Sequence, residues 1–121
     1  MMVGMRIGII GAGAVGTYFG ASLSRAGHEV TVLARGAALD AVRTDGLRVD
    51  VDGRDPWSAR VHAAASPAEL TTADGQPLDV VLLAVKATGP TPAQRRQQIA
   101  DMVQGIPGDP VIAPTQNSVE G

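Results

Sequence analysis

Residues 6–35 read RIGIIGAGAVGTYFGASLSRAGHEVTVLAR, and this stretch decides the fold of the chain. The apolar run over 5–10 predicts a first strand, and apolar residues at helical spacing predict a helix over 14–26. Gly27 lies just past that helix, where glycine often ends one, and a second strand is predicted over 29–34. A strand, a tight glycine turn, a helix and a strand make a βαβ unit, with parallel strands and a right-handed crossover.

The rest of the chain continues the same alternation of strands and helices. Alternating apolar residues in 47–51 and 57–61 predict a β-hairpin. The nearly continuous apolar run 79–85 predicts a central parallel strand that is covered on both faces. The other predicted elements are a short helix over 37–44 and a last strand over 110–113. Parallel strands starting near 5, 29, 79 and 110 predict one domain over 1–121, an open, doubly wound α/β sheet of the Rossmann type with a hairpin insertion.

Two similar tetrapeptides predict helix starts. Ser66-Pro67-Ala68-Glu69 and Thr91-Pro92-Ala93-Gln94 both carry the capping-box pattern with proline at the first helical position. The first of these helices must be brief, whereas the second is expected to run to about Gln104. Its inner face is predicted to consist of Ile99, Met102 and Val103.

Composition excludes several classes of function. The net charge is −2 without a basic run, which argues against nucleic-acid binding. The absence of cysteine excludes disulfides, thiolate metal sites and a cysteine nucleophile, and the two isolated histidines make no metal site. No apolar run approaches the roughly 18 residues of a membrane span, and the first residues lack a secretory signal, so a cytoplasmic location is expected.

The glycine-rich turn after the first strand predicts a site for a dinucleotide. Gly11 would allow the tight turn, Gly13 would let the backbone approach a pyrophosphate, and Gly16 would let the helix pack closely on the sheet. The start of the helix offers free N–H groups and the positive end of its dipole to phosphates. The alternative is a turn with a structural role only. The predicted cofactor-binding residues of this loop are Gly11, Ala12, Gly13, Ala14, Val15 and Gly16.

The end of the second strand favours NADP(H) over NAD(H). An NAD site usually has an acidic residue there to bind the ribose hydroxyls, but this chain has Ala34 followed by Arg35. Alanine removes the repulsion that a carboxylate would exert on a 2′-phosphate, and the planar guanidinium of arginine can bind that phosphate. The alternative is that Arg35 is a solvated loop residue.

Two polar residues follow the carboxyl ends of later strands. Lys86 closes the apolar run of the central strand, and Asn117 follows the last strand. Ligands of open α/β sheets bind in crevices at this edge, so both residues are candidates for contacts with cofactor or substrate. The alternatives are a strand-end charge that reaches water for Lys86 and a turn residue for Asn117.

With these motifs in order, the whole chain resembles the N-terminal domain of the ketopantoate reductases (2-dehydropantoate 2-reductases). The resemblance rests on four segments, of which the last two are the more specific. They are Gly11–Gly16, Val32-Leu33-Ala34-Arg35, Ala84-Val85-Lys86-Ala87 and Gln116-Asn117-Ser118-Val119.

This resemblance implies a function for the chain. Members of the family use NADPH to reduce the keto carbon of 2-dehydropantoate, a small keto acid, to pantoate on the route to coenzyme A. The resemblance places Lys86 near cofactor and substrate and Asn117 near the substrate. It also implies that the general-acid lysine belongs to a helical second domain beyond these 121 residues, so the chain alone is expected to be inactive.

Other functions stay open at this point. Another NADP-dependent hydroxy acid dehydrogenase could share the same front domain, and a nucleotide-sensing Rossmann module would need no catalytic residues. An apolar face that a second domain would cover could also bring copies of this chain together as a homo-oligomer.

Overall fold

A computed structural model describes residues 4–11, 13–50, 53–84 and 90–114 of the chain. Within these residues the elements alternate as the sequence predicts. In chain order they are β1 (Arg6–Ile10), α1 (Ala14–Arg25), β2 (Glu29–Leu33), α2 (Gly36–Asp45), β3 (Leu47–Val49), β4 (Trp57–Ala59), β5 (His62–Ala64), a short 3₁₀ helix (Pro67–Glu69), β6 (Val80–Leu83), α3 (Pro92–Val103) and β7 (Val111–Pro114).

Five strands form one parallel sheet in the order β5-β2-β1-β6-β7. β1 lies in the middle and pairs with β2 on one side and with β6 on the other. The strand order reverses between β1 and β6, so the carboxyl ends of these two strands flank the crevice where ligands of such sheets bind. The predicted doubly wound α/β fold is confirmed.

Helix α1 packs on the sheet through small residues. Gly20 and Ala21 are buried, and a Cβ atom added at Gly20 would lie 2.6 Å from Cδ1 of Leu47. The helix can therefore approach β3 and the sheet closely because it lacks a bulky side chain here. Of the large apolar side chains that mark the helix in the sequence, Leu23 packs against the core, whereas three face outward, with exposed fractions of 42% for Val15, 53% for Tyr18 and 39% for Phe19.

The end of α1 is fixed by a Schellman motif. Gly27 has a φ of +102°, its N–H donates to the carbonyl of Ser24, and the N–H of His28 donates to the carbonyl of Leu23. The prediction that Gly27 ends the helix is confirmed, and β2 begins only two residues later.

Helix α3 covers the other face of the sheet. Ile99, Met102 and Val103 pack against a core cluster that includes Leu70, Val81 and Leu83. The inner face predicted for this helix is therefore confirmed. A second cluster lies on the α1 side and contains Ile9, Val32 and Leu47.

The hairpin is present, but its second arm is shorter than the sequence predicts. β3 and β4 pair antiparallel with Leu47 opposite Ala59 and Val49 opposite Trp57, and they form a separate two-stranded sheet. Three residues after Ala59, at His62, the chain enters the main sheet as β5, parallel to β2. The alternation over 57–61 thus belongs to a hairpin arm and to the approach to a fifth parallel strand, which the sequence analysis did not identify.

The amino-terminal edge of the sheet is held together at Asp79. Its carboxylate accepts hydrogen bonds from the backbone N–H of Arg6 (2.8 Å) and from the Arg6 guanidinium (3.3 Å). The N–H of Asp79 donates to the carbonyl of Arg6, and its carbonyl accepts from the N–H of Val111. The hydrogen bond from the Arg6 N–H, and then that from the guanidinium, lower the pKa of the Asp79 carboxyl below its ordinary value.

Candidate functional site

The glycine loop joins β1 to α1 at the carboxyl edge of the sheet. Gly11 has a φ of +105°, a conformation that favours glycine, and its N–H donates to the carbonyl of Leu33 at 3.0 Å. The turn is therefore tied to the end of β2. The positive φ agrees with the tight turn that the sequence predicts at Gly11.

Gly16 is needed for close packing in the first turn of α1. A Cβ atom at this position would overlap the carbonyl oxygen of Gly11 and would lie 3.1 Å from the Cβ of Ala84. Because Ala84 follows β6, Gly16 allows the start of the helix to sit against the ends of both central strands. The packing role predicted for Gly16 is consistent with this geometry.

Gly13 differs from both of its neighbours in the motif. It has a φ of −75°, which any residue can adopt, and a Cβ atom at this position would meet nothing within 4 Å. The fold therefore does not require a glycine here. The open space in front of Gly13 is what a backbone that approaches a pyrophosphate needs.

The start of α1 leaves its N–H groups available to an anion. Gly13 is the N-cap and supplies no side chain, and the first turn of the helix carries no acidic residue. The unpaired N–H groups of a helix start and the positive end of its dipole attract negatively charged groups. Ala14 is the first residue of the helix and Val15 the second, so both lie where the predicted site requires them.

A pocket of about 570 Å³ extends from this helix start towards α2. Gly11 and Gly13 form one end, while Ala34 and Arg35 form the side that follows β2. Ala34 is buried, and Arg35 is exposed as the N-cap of α2. The remaining lining residues are Ile10, Leu33, Ala38, Ala65, Pro67, Asp101 and Met102. The structure thus brings Arg35 into the same pocket as the glycine loop.

Two contributions to this pocket are not among the residues predicted from the sequence. Asp101 and Met102 reach it from α3, Ala65 reaches it from the loop after β5, and Pro67 reaches it from the start of the 3₁₀ helix. The carboxylate of Asp101 accepts a hydrogen bond from the amide of Gln97 at 2.9 Å. No local pattern marks these residues, because their place in the pocket depends on how α3 and β5 lie against the sheet.

Three residues predicted for the site lie outside the described residues. They are Ala12 in the glycine loop, Lys86 after β6 and Asn117 after β7. Their roles stay predictions. The strands that precede Lys86 and Asn117 are neighbours in the sheet, with Leu82 opposite Ala113.

In the part of the chain that the structure describes, no group of three or more metal-binding side chains occurs. None of the helices in these ranges is both long enough and apolar enough to cross a bilayer.

Comparison with known proteins agrees with this geometry. The family model for ketopantoate reductase PanE/ApbA matches residues 7–121. A 2-dehydropantoate 2-reductase from Mesorhizobium japonicum is 44% identical over 90 residues, which are 74% of this chain and 26% of that protein.

Solved structures give the same result. A protein from Ralstonia solanacearum described as a ketopantoate reductase is 39% identical with a TM-score of 0.69, over 93% of this chain and 32% of that one. A 2-dehydropantoate 2-reductase from Methylococcus capsulatus is 29% identical with a TM-score of 0.64, over 94% of this chain and 34% of that one. The chain thus spans between a quarter and about a third of the length of these relatives. It belongs to the ketopantoate reductase family.

Proposed function

We propose that this chain binds NADP(H) and is the cofactor domain of a reductase that acts on a 2-keto acid, 2-dehydropantoate. The observation that carries the proposal is the open space at Gly13, beside an uncapped helix start and in one pocket with Arg35. The pyrophosphate would lie against the N–H groups of α1. The adenosine half would extend across the pocket towards Ala34 and Arg35.

Selectivity for the phosphorylated cofactor would come from the pair Ala34 and Arg35. Ala34 is buried and uncharged, so the end of β2 does not repel a 2′-phosphate. The guanidinium of Arg35 can donate two parallel hydrogen bonds to that phosphate. Bound NADPH would supply the hydride, and the residues of this chain would hold its nucleotide half in place.

The substrate assignment rests on the family. The related proteins from Mesorhizobium japonicum and Methylococcus capsulatus are 2-dehydropantoate 2-reductases. Lys86 and Asn117 would then lie near the reacting end of the cofactor, where an ammonium can bind a carboxylate and an amide can both donate and accept. The resemblance assigns the general acid to a second domain, so we expect the chain alone to bind NADPH and to reduce 2-dehydropantoate slowly or not at all.

Replacement of Arg35 tests the cofactor assignment. We expect Arg35→Ala to raise the Kd for NADPH at least about tenfold, since a charge-assisted bond to the 2′-phosphate is lost. The Kd for NADH should change little. Both values can be measured by titration calorimetry, with Arg96→Ala as the matched control because Arg96 is exposed on α3.

Two outcomes would contradict the proposal. Equal losses of affinity for NADPH and NADH would remove the role of Arg35 in selectivity. No heat of association with either cofactor would remove the dinucleotide site itself.

A further inference from the structure

A second and larger groove lies between α1 and the hairpin. Its volume is about 1220 Å³, and its walls are formed by the outer side of α1 and by the loop and strand of residues 53–60. Tyr18 and Arg25 face it from the helix, and Trp57 faces it from β4. None of its lining residues belongs to the pocket at the glycine loop.

The groove is rich in hydrogen-bond donors and positive charge. Three guanidinium groups line it, from Arg25, Arg54 and Arg60, whereas Asp55 is the one carboxylate among its described lining residues. Arginine has no acceptor, so these groups select for a ligand with many acceptor oxygens. The structure records no ion pair of the three arginines with a described carboxylate; the ion pair it does record joins Arg6 to Asp79.

Two contacts hold parts of this groove in place before a ligand arrives. The guanidinium carbon of Arg25 lies 4.7 Å from the ring centroid of Trp57, which is a cation–π contact. The hydroxyl of Ser24 donates to the carbonyl of Arg60 at 3.4 Å, which joins the end of β4 to α1. The Arg25 side chain and the backbone at Arg60 are therefore held in place, and a site that is partly preorganised loses less entropy when a ligand binds.

The position of the groove separates it from the cofactor pocket. The glycine loop is at the amino end of α1, while Arg25 is the last residue of the helix. α1 connects two parallel neighbours, so its carboxyl end returns to the opposite edge of the sheet. A ligand in the groove would therefore bind at a distance from the cofactor.

We propose that this groove is a second binding site of the chain, for a small organic phosphate. The phosphate would be bound by the guanidinium groups of Arg54 and Arg60, which match its geometry and charge. The organic part would lie against the rings of Trp57 and Tyr18. The concave shape favours a small molecule, since such ligands are mostly enclosed by their sites.

The sequence supplies a direct probe of this groove. Trp57 is the only tryptophan of the chain, so intrinsic fluorescence excited at the indole comes from this one side chain in the groove wall. Phenyl phosphate carries both a phosphate and a planar ring, and its titration should give a saturable change of the Trp57 signal. Inorganic phosphate, titrated in parallel, should bind more weakly because it lacks the ring.

Three variants distinguish specific binding of phenyl phosphate in this groove from a nonspecific attraction of the phosphate to positive charge. The double variant Arg54→Gln/Arg60→Gln should weaken phenyl phosphate binding at least about tenfold, because charge-assisted hydrogen bonds are lost. Asp55→Asn should strengthen it, since it removes the carboxylate from the groove. Arg96→Gln, on the helix that covers the other face of the sheet, should leave it unchanged.

The outcomes separate this inference from the proposed function. No saturable response of Trp57, equal affinity for the two phosphates, or equal losses in the double variant and in Arg96→Gln would each overturn it. NADPH binding by calorimetry should be the same in wild type and in Arg54→Gln/Arg60→Gln. A chain that fails to bind NADPH but responds to phenyl phosphate would refute the proposed function and support the second site.

Discussion

The three glycines of the loop occupy similar places in the sequence, but the structure needs each of them for a different reason. Gly11 has a positive φ, and Gly16 has no room for a Cβ atom. Gly13 has neither constraint. A glycine that the fold does not require, in front of an uncapped helix start, supports the proposal that a ligand uses the space it leaves.

Replacement of Gly13 should therefore separate binding from stability. In Gly13→Ala the added methyl group meets no protein atom within 4 Å, so we expect the free energy of unfolding to change by no more than about 1 kcal/mol. The methyl group would occupy the space next to the pyrophosphate, so the Kd for NADPH should rise at least about tenfold. Urea denaturation and titration calorimetry measure the two quantities.

Gly16→Ala is the matched comparison. Its methyl group would overlap the carbonyl oxygen of Gly11, so this variant should lose stability as well as affinity. If Gly13→Ala bound NADPH as tightly as the wild type, the space at Gly13 would have no part in binding.

At this scale the sequence predicts those residues whose role depends on neighbours in the chain. The glycine loop and Arg35 belong to this group, because both lie within one βαβ unit, and the structure places them in one pocket. The role of Asp101 depends instead on residues that are distant in the sequence. Asp101 lies far along the chain from Arg35 and lines the same pocket only because α3 packs on the opposite face of the sheet.

At the scale of single elements, two similar tetrapeptides have different outcomes. Thr91 and Gln94 form the full capping box, with the N–H of Gln94 donating to the Thr91 hydroxyl at 3.2 Å and the N–H of Thr91 donating to the Gln94 side chain at 3.3 Å. The hydroxyl of Ser66 makes no capping hydrogen bond, and the carboxylate of Glu69 accepts instead from the N–H of Ala65. The 3₁₀ helix ends after Glu69, where the fully buried Leu70 takes the chain into the core.

This difference gives a paired prediction. Thr91→Ala should lower the free energy of unfolding by about 1 kcal/mol, because the first turn of α3 loses its side-chain cap. Ser66→Ala should change it by less than about 0.5 kcal/mol, since no capping bond is lost. Urea denaturation of both variants checks this, and equal effects would show that the capping box contributes nothing to stability.

The periodicity of α1 shows a limit of sequence patterns at this scale. Large apolar residues recur at helical spacing and predict the helix, but Tyr18 and Phe19 are exposed. The face that packs on the sheet contains Gly20 and Ala21. Because these residues are small, hydropathy alone does not mark this face as the buried one. The spacing therefore predicts that a helix forms, while the side that it buries follows from how closely its backbone must approach β3 and the sheet.

For the molecule as a whole, the strands of the main sheet could be predicted except at one edge. The runs that become β1, β2, β6 and β7 are apolar enough to be identified as strands from the sequence. β5 has only three residues, two of them alanine, and it is a strand because β2 offers an open edge for parallel pairing. Without β5, the sequence could not place the residues that follow it at the pocket beside the glycine loop.

The stability of the whole sheet should depend on pH through Asp79. This residue joins β1, β6 and β7 at their amino-terminal ends, and the hydrogen bonds from Arg6 lower the pKa of its carboxyl in the native state. A carboxyl whose pKa is lowered by folding stabilises the native state above its unfolded pKa, near 3.9, and loses this contribution as the pH falls through the native pKa. In Asp79→Asn the side chain carries no charge at any pH, so the variant lacks this contribution. It should therefore be less stable than the wild type at neutral pH.

The difference between wild type and Asp79→Asn should accordingly depend on pH. It should be constant above about pH 5, where the carboxylate is charged in both states, and should shrink as the pH falls below about 4. Urea denaturation over this range measures it, with Asp109→Asn as the control, since Asp109 is an exposed carboxylate on the loop before β7. A difference that stayed the same down to pH 3 would mean that the charge of Asp79 does not stabilise the sheet, and no difference at any pH would mean that the residue acts there only through its backbone hydrogen bonds to Arg6 and Val111.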